Sequence, residues 1–129
     1  MPLDLRKPQV LVVDDDEDFL ALLALHLAPR CRLQVARDGR EALLRISESR
    51  PDLVLLDVMM PRLSGWELCR ELKSSALYED IPVIFVTAVG VKLLGQLSHL
   101  TLADDVLFKP FDLTELDRKM ARFLSPTEA

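Results

Sequence analysis

The stretch that decides the fold is PDLVLLDVMMP, residues 51–61, in which an uninterrupted apolar run, Leu53–Leu56, ends at Asp57. A short run without polar alternation is typical of a strand that is covered on both faces of a parallel sheet. Two more such runs occur, at Val10–Val13, before three aspartates, and at Val83–Val86. These three runs predict the central strands of a parallel sheet with polar groups at its carboxyl edge.

Helical patterns separate the apolar runs along the whole chain. The predicted strands are Gln9–Val13, Arg32–Ala36, Leu53–Leu56, Val83–Val86 and Asp105–Phe108. The predicted helices are Glu17–Ala28, Arg40–Ser49, Trp66–Ser74, Val91–Leu100 and Leu113–Leu124. Strict alternation implies parallel strands joined by crossover helices. With 129 residues, we expect a single α/β domain over residues 1–129, with its core at about 9–124.

Helix starts carry capping signals. Asp38 stands three residues before Glu41, and Asp112 precedes the last helix. Ser64 and Glu67 have the spacing of a capping box at the start of the third helix.

Composition excludes several classes of protein. Half of the residues are hydrophobic. The net charge is −5, and this acidic balance argues against direct nucleic-acid binding, which needs a basic surface. The longest apolar stretch, Phe19–Ala28, is shorter than the ~20 residues that span a bilayer, and charged residues before the first apolar run argue against a signal peptide. Cys31 and Cys69 are too isolated for a disulfide framework or zinc site, so we expect a reducing, cytoplasmic location. His26 and His99 are interpreted as helix residues and not as ligands.

Polar side chains follow the predicted strands. They are Asp14, Asp15 and Asp16 after the first strand, Asp57 after the third, Thr87 after the fourth and Lys109 after the fifth. The carboxyl ends of parallel strands share one edge, where ligands bind. Clustered carboxylates repel one another, and a cation relieves that repulsion. Oxygen ligands without nitrogen or sulfur favour Mg²⁺ or Mn²⁺.

These residue types suit phosphoryl transfer. Asp57 can act as the nucleophile, Lys109 and a cation can neutralise the phosphoryl group, and Thr87 can donate a hydrogen bond to it. Taken singly, each residue has a plainer interpretation: an aspartate after a strand is often a helix N-cap, and a lone lysine is a surface charge. Their occurrence together at matching strand ends favours the functional site.

Other motifs are incomplete. Asp14-x-Asp16-x-Asp18 begins like an EF-hand loop, but Phe19 replaces the required glycine. Gly90-x₄-Gly95 resembles a Walker A loop, but a glutamine stands where lysine is needed.

The chain as a whole resembles the receiver domain of two-component response regulators. The matching stretches are Val10–Asp15, Pro51–Pro61, Gly65–Leu68, Pro82–Ala88 and Ala103–Phe111. The resemblance implies a flavodoxin-like (βα)5 doubly wound sheet with strand order 2-1-3-4-5. It also implies a partner, either a histidine kinase or a histidine phosphotransfer protein, and no contact with a membrane.

Residue roles follow from the same resemblance. Asp57 is then the phosphorylation site. Asp14 and Asp15 hold Mg²⁺, with Asp15 and Asp57 as direct ligands and the Met59 backbone carbonyl as a further ligand, whereas Asp16 is not a ligand. Thr87 is the switch hydroxyl, and Lys109 binds phosphate. The bond between Lys109 and Pro110 is expected to be cis. The switch and output positions of the family correspond to Val106, Leu97 and Ala88. The expected output face consists of the fourth helix, the fifth strand and the fifth helix, and it would contact an output domain or a second copy in a homodimer.

Several residues depart from the family pattern. Val106 replaces the usual aromatic that moves with Thr87, so we expect the signal to leave by another route, and Leu102 replaces a usual glycine. The region Val91–Leu102 is unusually apolar, which is explained either by a deeply buried helix or by a surface for a partner or dimer; the second is our hypothesis. Met59 and Val89 are apolar and cannot orient a water, which predicts a long-lived phosphoryl group.

The sequence therefore predicts a phosphoacceptor signalling switch that is not a turnover enzyme. One alternative is a phosphatase with an aspartyl nucleophile, but Met59 stands where that family usually has a second aspartate. The other is a binding module with the same fold that phosphorylation does not regulate.

Overall fold

The computed structural model describes residues 6–58, 65–88 and 103–124. Within these ranges the strands are β1 (Gln9–Val13), β2 (Arg32–Ala36), β3 (Leu53–Leu56), β4 (Val83–Thr87) and β5 (Asp105–Phe108). The helices are α1 (Glu17–Leu27), α2 (Gly39–Glu48), α3 (Gly65–Lys73) and α4 (Leu113–Ala121). The fourth predicted helix, Val91–Leu100, lies outside the described residues, so α4 is the fifth helix of the sequence prediction.

The five strands form one parallel sheet in the order β2-β1-β3-β4-β5. This confirms the predicted flavodoxin-like strand order. One strand boundary differs, because Thr87 is the last residue of β4 and pairs with Phe108 of β5 instead of following the strand. The predicted bounds of α1, α2 and α3 are wrong by one residue at one or both ends, and α4 ends at Ala121 instead of Leu124. Val13 pairs with both Ala36 and Leu56, so the carboxyl ends of the central strands are level with one another.

Helices cover both faces of the sheet. Successive residues of each strand point to opposite faces, and each face meets its own apolar cluster. One cluster joins the sheet to α2 and α3 and includes Ile46, Leu68, Leu72 and Phe85. The other joins the sheet to α1 and α4 and includes Leu23, Leu27, Leu116 and Met120.

Aspartates begin three of the described helices. The side chain of Asp16 accepts hydrogen bonds from the amides of Asp18 and Phe19 at the start of α1. Asp38 and Asp112 cap α2 and α4 in the same way, as predicted. Ser64, the expected N-cap of α3, lies outside the described residues.

The two cysteines are free and buried, which agrees with the absence of a disulfide in the sequence prediction. Burial raises the pKa of the Cys69 thiol to about 11 and also raises that of Cys31. Within the described ranges, no helix has the length and apolar character needed to cross a bilayer. The peptide bond between Lys109 and Pro110 is cis, as the resemblance implied.

Candidate functional site

Two buried aspartates lie at the carboxyl ends of neighbouring strands. Asp14 follows β1 and is 1% exposed, and Asp57 follows β3 and is 8% exposed. The amide of Asp14 donates to the carbonyl of Ala36 at 3.0 Å, and the amide of Asp57 donates to the carbonyl of Val13 at 2.9 Å. The sheet's hydrogen bonds thus continue one residue beyond the strands, which holds both carboxylates at the same edge.

Lys109 reaches these carboxylates from the end of β5. Its amide donates to the carbonyl of Thr87 at 2.9 Å, and Thr87 itself is completely buried at the end of β4. The Lys109 ammonium lies 2.7 Å from Oδ2 of Asp14 and 4.0 Å from Oδ2 of Asp57. The structure therefore brings together four residues that the sequence placed at separate strand ends.

Asp15 completes an acidic cluster. One carboxylate oxygen from each of Asp14, Asp15 and Asp57 lies within 4.8 Å of the other two, and Asp15 is exposed to solvent. Three carboxylates and the Lys109 ammonium leave a formal charge of −2 when all are ionised. Hard oxygen donors with this charge fit a divalent cation such as Mg²⁺ or Mn²⁺.

Asp16 has a different structural role from Asp14 and Asp15. Its carboxylate accepts from amides at the start of α1, at 3.0 Å for Asp18 and 3.3 Å for Phe19. Its own amide donates to Oδ1 of Asp14 at 2.9 Å, which leaves Oδ2 of Asp14 for Lys109. Asp16 is thus a helix cap whose amide also orients a carboxylate of the cluster.

Gly65 brings α3 against the backbone of the candidate phosphoacceptor. Its amide donates to the carbonyl of Val58 at 3.0 Å. A Cβ at this position would lie 2.2 Å from the carbonyl oxygen of Asp57 and 2.7 Å from Cα of Val58. Only a residue without a side chain allows the helix to begin this close to Asp57.

The other predicted functional positions are less central. Ala88 directly follows β4 and is exposed, and Val106 lies half-buried in β5, paired with Phe85. Met59, with its expected carbonyl ligand, and Leu97 lie outside the described residues.

Phe19 also belongs to this site, although no motif in the sequence indicated it. The Lys109 ammonium lies 4.0 Å from the centroid of the Phe19 ring. The available signal was the position of Phe19 three residues after the N-cap Asp16, in the first turn of the helix that starts beside the acidic cluster.

Comparisons with known proteins agree on one family. The model of the response regulator receiver domain matches residues 10–121. Response regulator MprA of Mycolicibacterium vanbaalenii is 43% identical over 123 residues, which are 92% of this chain and 51% of that protein. The chain thus spans about half the length of the curated relatives it matches.

Solved structures show the same similarity. The receiver domain of a signal transduction histidine kinase from Syntrophus aciditrophicus has a TM-score of 0.83 and 32% identity, covering 91% of this chain and 89% of that one. The receiver domain of sensor histidine kinase PA1611 from Pseudomonas aeruginosa, solved with a magnesium ion coordinated in its active-site cleft, has a TM-score of 0.83 and 25% identity. Its match covers 91% of this chain and 97% of that one.

Proposed function

This chain belongs to the response regulator receiver domain family, and from that premise we propose that Asp57 is its phosphoacceptor. The observation that carries the proposal is the position of the Lys109 ammonium, 2.7 Å from Asp14 and 4.0 Å from Asp57 at the carboxyl edge of the sheet. A positive charge held there can bind an oxygen of a phosphoryl group on Asp57. Receiver domains act as phosphorylated switches in two-component signalling, and this chain has the side chains for that role.

The donor we propose is a phosphohistidine on a histidine kinase or a histidine phosphotransfer protein. A carboxylate oxygen of Asp57 attacks phosphorus, the phosphorus–nitrogen bond breaks, and the imidazole nitrogen keeps the electron pair and takes up a proton. Lys109 and Thr87 bind oxygens of the transferred group, Lys109 by its charge and Thr87 by its hydroxyl. No residue of the chain needs to act as a separate nucleophile.

Asp14, Asp15 and Asp57 are the proposed ligands of Mg²⁺, with the Met59 carbonyl as a further expected ligand. The cation would supply charge neutralisation for the incoming phosphoryl group. Support comes from the carboxylate oxygens, which lie within 4.8 Å of one another, and from the net charge of −2 that remains after Lys109 is counted. A dianionic donor approaching that charge unaided would be repelled.

Intact mass spectrometry tests the proposed role of Asp57. The protein is incubated with Mg²⁺ and acetyl phosphate, alongside Asp57→Asn and the control Asp52→Asn, a carboxylate at the opposite end of β3 that accepts from the Gln9 amide at 2.8 Å. We expect one phosphoryl adduct in the wild type and in Asp52→Asn, lost in Asp57→Asn and lost on chelation with EDTA. An adduct that persists in Asp57→Asn, or fails to form in the wild type, would overturn the proposal.

Phosphorylation would shift an inactive–active equilibrium that an output domain or a second copy reads. The face proposed for this contact consists of the fourth predicted helix, β5 and α4. Its described part is strongly charged, because Asp105 of β5 accepts from Lys119 at 3.1 Å and from Arg122 at 3.0 Å. Size-exclusion chromatography of wild type and Leu97→Glu, with and without phosphorylation, tests whether a dimer forms there. A mass that stays monomeric in every sample would exclude the dimer.

The predicted lifetime of the phosphoryl group also remains a proposal. Met59 and Val89, which would flank the phosphoryl group, lie outside the described residues. Their apolar side chains offer no hydrogen-bonding group to an attacking water, which supports slow hydrolysis. Replacing Met59 by glutamate or asparagine should then speed dephosphorylation.

A further inference from the structure

The ring of Phe19 lies beside the acidic cluster because of the way α1 begins. Phe19 is the third residue of α1, and its amide donates to the N-cap carboxylate of Asp16 at 3.3 Å. Asp16 is joined in turn to Asp14 through its own amide at 2.9 Å. The cap thus fixes the backbone of Phe19 relative to a carboxylate of the site, and Phe19 itself is only half-buried.

The Lys109 ammonium lies close both to this ring and to the carboxylates. It is 4.0 Å from the ring centroid of Phe19, 2.7 Å from Asp14 and 4.0 Å from Asp57. The face of an aromatic ring carries the negative end of its quadrupole and attracts a cation within about 6 Å. The ring therefore attracts the same ammonium that the carboxylates bind, and so limits the positions that the ammonium can take.

A second aromatic ring contacts Phe19. Phe111 meets it edge to face, with centroids 6.1 Å apart and ring planes at 88°. This is one of the two favourable arrangements of aromatic pairs. Because Phe111 is two residues after Lys109, both ends of this short segment contact the same ring.

An aromatic ring suits this position better than a carboxylate would. A lysine side chain has four rotatable bonds, and ordering it costs entropy that the site must offset. A further carboxylate could order Lys109, but it would also compete with a phosphoryl oxygen for the ammonium. A neutral ring limits the conformations of Lys109 and leaves its N–H donors available to oxygen atoms.

We propose that Phe19 is a positioning residue for phosphoryl transfer, whose ring holds the Lys109 ammonium toward Asp57. This inference rests on the proposed function, since it assigns a role in the phosphorylation of Asp57. Phe19 itself contacts no reacting atom; it acts through Lys109.

Three substitutions separate positioning from a general effect on the core. Phe19→Leu keeps an apolar side chain and removes the ring, whereas Phe19→Tyr keeps the ring. Phe123→Leu is the matched control, because Phe123 packs on the same side of the sheet and has its own cation contact, with Arg122 at 5.6 Å from the ring centroid, away from the acidic cluster. Circular dichroism confirms that each variant is folded at the assay temperature.

The first measurement is the initial rate of Asp57 phosphorylation by acetyl phosphate at saturating Mg²⁺. We expect a decrease of roughly three- to tenfold in Phe19→Leu, as the loss of a partly desolvated cation–π contact implies, and a rate close to wild type in Phe19→Tyr and Phe123→Leu. The second is the NMR shift of the Lys109 ε-methylene protons without phosphodonor. Because the ring centroid lies 4.0 Å from Lys109 Nζ, we expect the signals of the adjacent ε-methylene group to be shifted upfield in the wild type, and this shift should vanish in Phe19→Leu and persist in Phe19→Tyr.

The outcomes distinguish this inference from the proposed function. If folded Phe19→Leu is phosphorylated as fast as wild type, or Phe19→Tyr is as slow as Phe19→Leu, Phe19 does not position Lys109. An equal decrease in Phe123→Leu would also overturn the inference, because it would indicate a general effect. Absence of a wild-type adduct, or an adduct that survives Asp57→Asn, would instead refute the proposed function.

Discussion

The change in stability caused by Gly65→Ala decides between two explanations of this glycine. Gly65 is the first residue of α3 and does not have a positive φ, so helix propensity alone predicts that alanine stabilises the protein, by up to ~1 kcal/mol. The structure predicts the opposite. The added Cβ would lie 2.2 Å from the carbonyl oxygen and 2.9 Å from the carbonyl carbon of Asp57, and 2.7 Å from Cα of Val58.

The magnitude follows from these overlaps. Carbon atoms in favourable contact lie ~3.5–4.0 Å apart, so the backbone of α3 or of the residues around Asp57 must move by about 1 Å. Overpacking costs ~1–3 kcal/mol, and the upper end applies because the contacted atoms are backbone and cannot rotate away. After the gain in helix propensity, we expect a net loss of about 2 kcal/mol in the free energy of unfolding. For a domain of this size that lowers Tm by roughly 6–10 °C.

Urea and thermal unfolding followed by circular dichroism measure the loss. Glu71→Ala, an exposed change on the same helix, is the control and should stay within ~0.5 kcal/mol of wild type. The displaced carbonyl belongs to Asp57, so folded Gly65→Ala should also be phosphorylated more slowly. A Gly65→Ala protein at least as stable as wild type would refute the steric argument.

Three further predictions concern stability and thiol chemistry. Cys69 should react with DTNB at pH 8 only after unfolding, because burial raises the pKa of its thiol to about 11; rapid labelling of the folded protein would contradict this. Partial burial alone would raise the pKa of Asp117, but the hydrogen bonds and charges of Arg30 and His26 lower this pKa below the ordinary 3.8. The ionised Asp117 carboxylate therefore stabilises the fold above about pH 4, and this stabilisation is lost as the pH falls through the lowered pKa. Asp117→Asn should therefore flatten the dependence of unfolding free energy on pH below 4, and an unchanged acid-side slope in urea titrations would count against this. Asp104→Ala should cost ~1–3 kcal/mol in urea unfolding, because the first amide of β4 donates to Asp104 at 2.8 Å and would lose its partner; a loss below ~0.5 kcal/mol would indicate that another acceptor replaces it.

The sequence predicted the sheet and the edge of the site because both depend on local patterns. An apolar run such as Leu53–Leu56 has few ways to bury all its side chains except inside a covered sheet, and β3 has these bounds. Once the strands are parallel, the residues after them must share an edge, which placed Asp14, Asp57 and Lys109 together. N-caps such as Asp38 were predictable for the same reason, since a cap is decided within four residues.

Contacts within the site could not be predicted from those patterns. Lys109 lies 95 residues from Asp14 in sequence, and its 2.7 Å contact with Asp14, closer than that with Asp57, depends on how β5 and α1 pack on the sheet. The ring of Phe19 is close to Lys109 for the same reason. Gly65 matched a family motif in the sequence, but its physical role became visible only when the distance to the Asp57 carbonyl was known.

The aromatic side chain of β5 belongs to Phe108, two residues beyond Val106. Because alternate residues of a strand point to the same face, the two side chains share a face. Val106 pairs with Phe85 and packs on the apolar cluster of α2 and α3, whereas Phe108 pairs with Thr87 and is 36% exposed. A displacement of Thr87 would therefore reach a partly exposed aromatic directly through the paired backbone. The expectation that the signal leaves by a route other than residue 106 stays a prediction, and the pairing of Thr87 with Phe108 provides a physical basis for such a route.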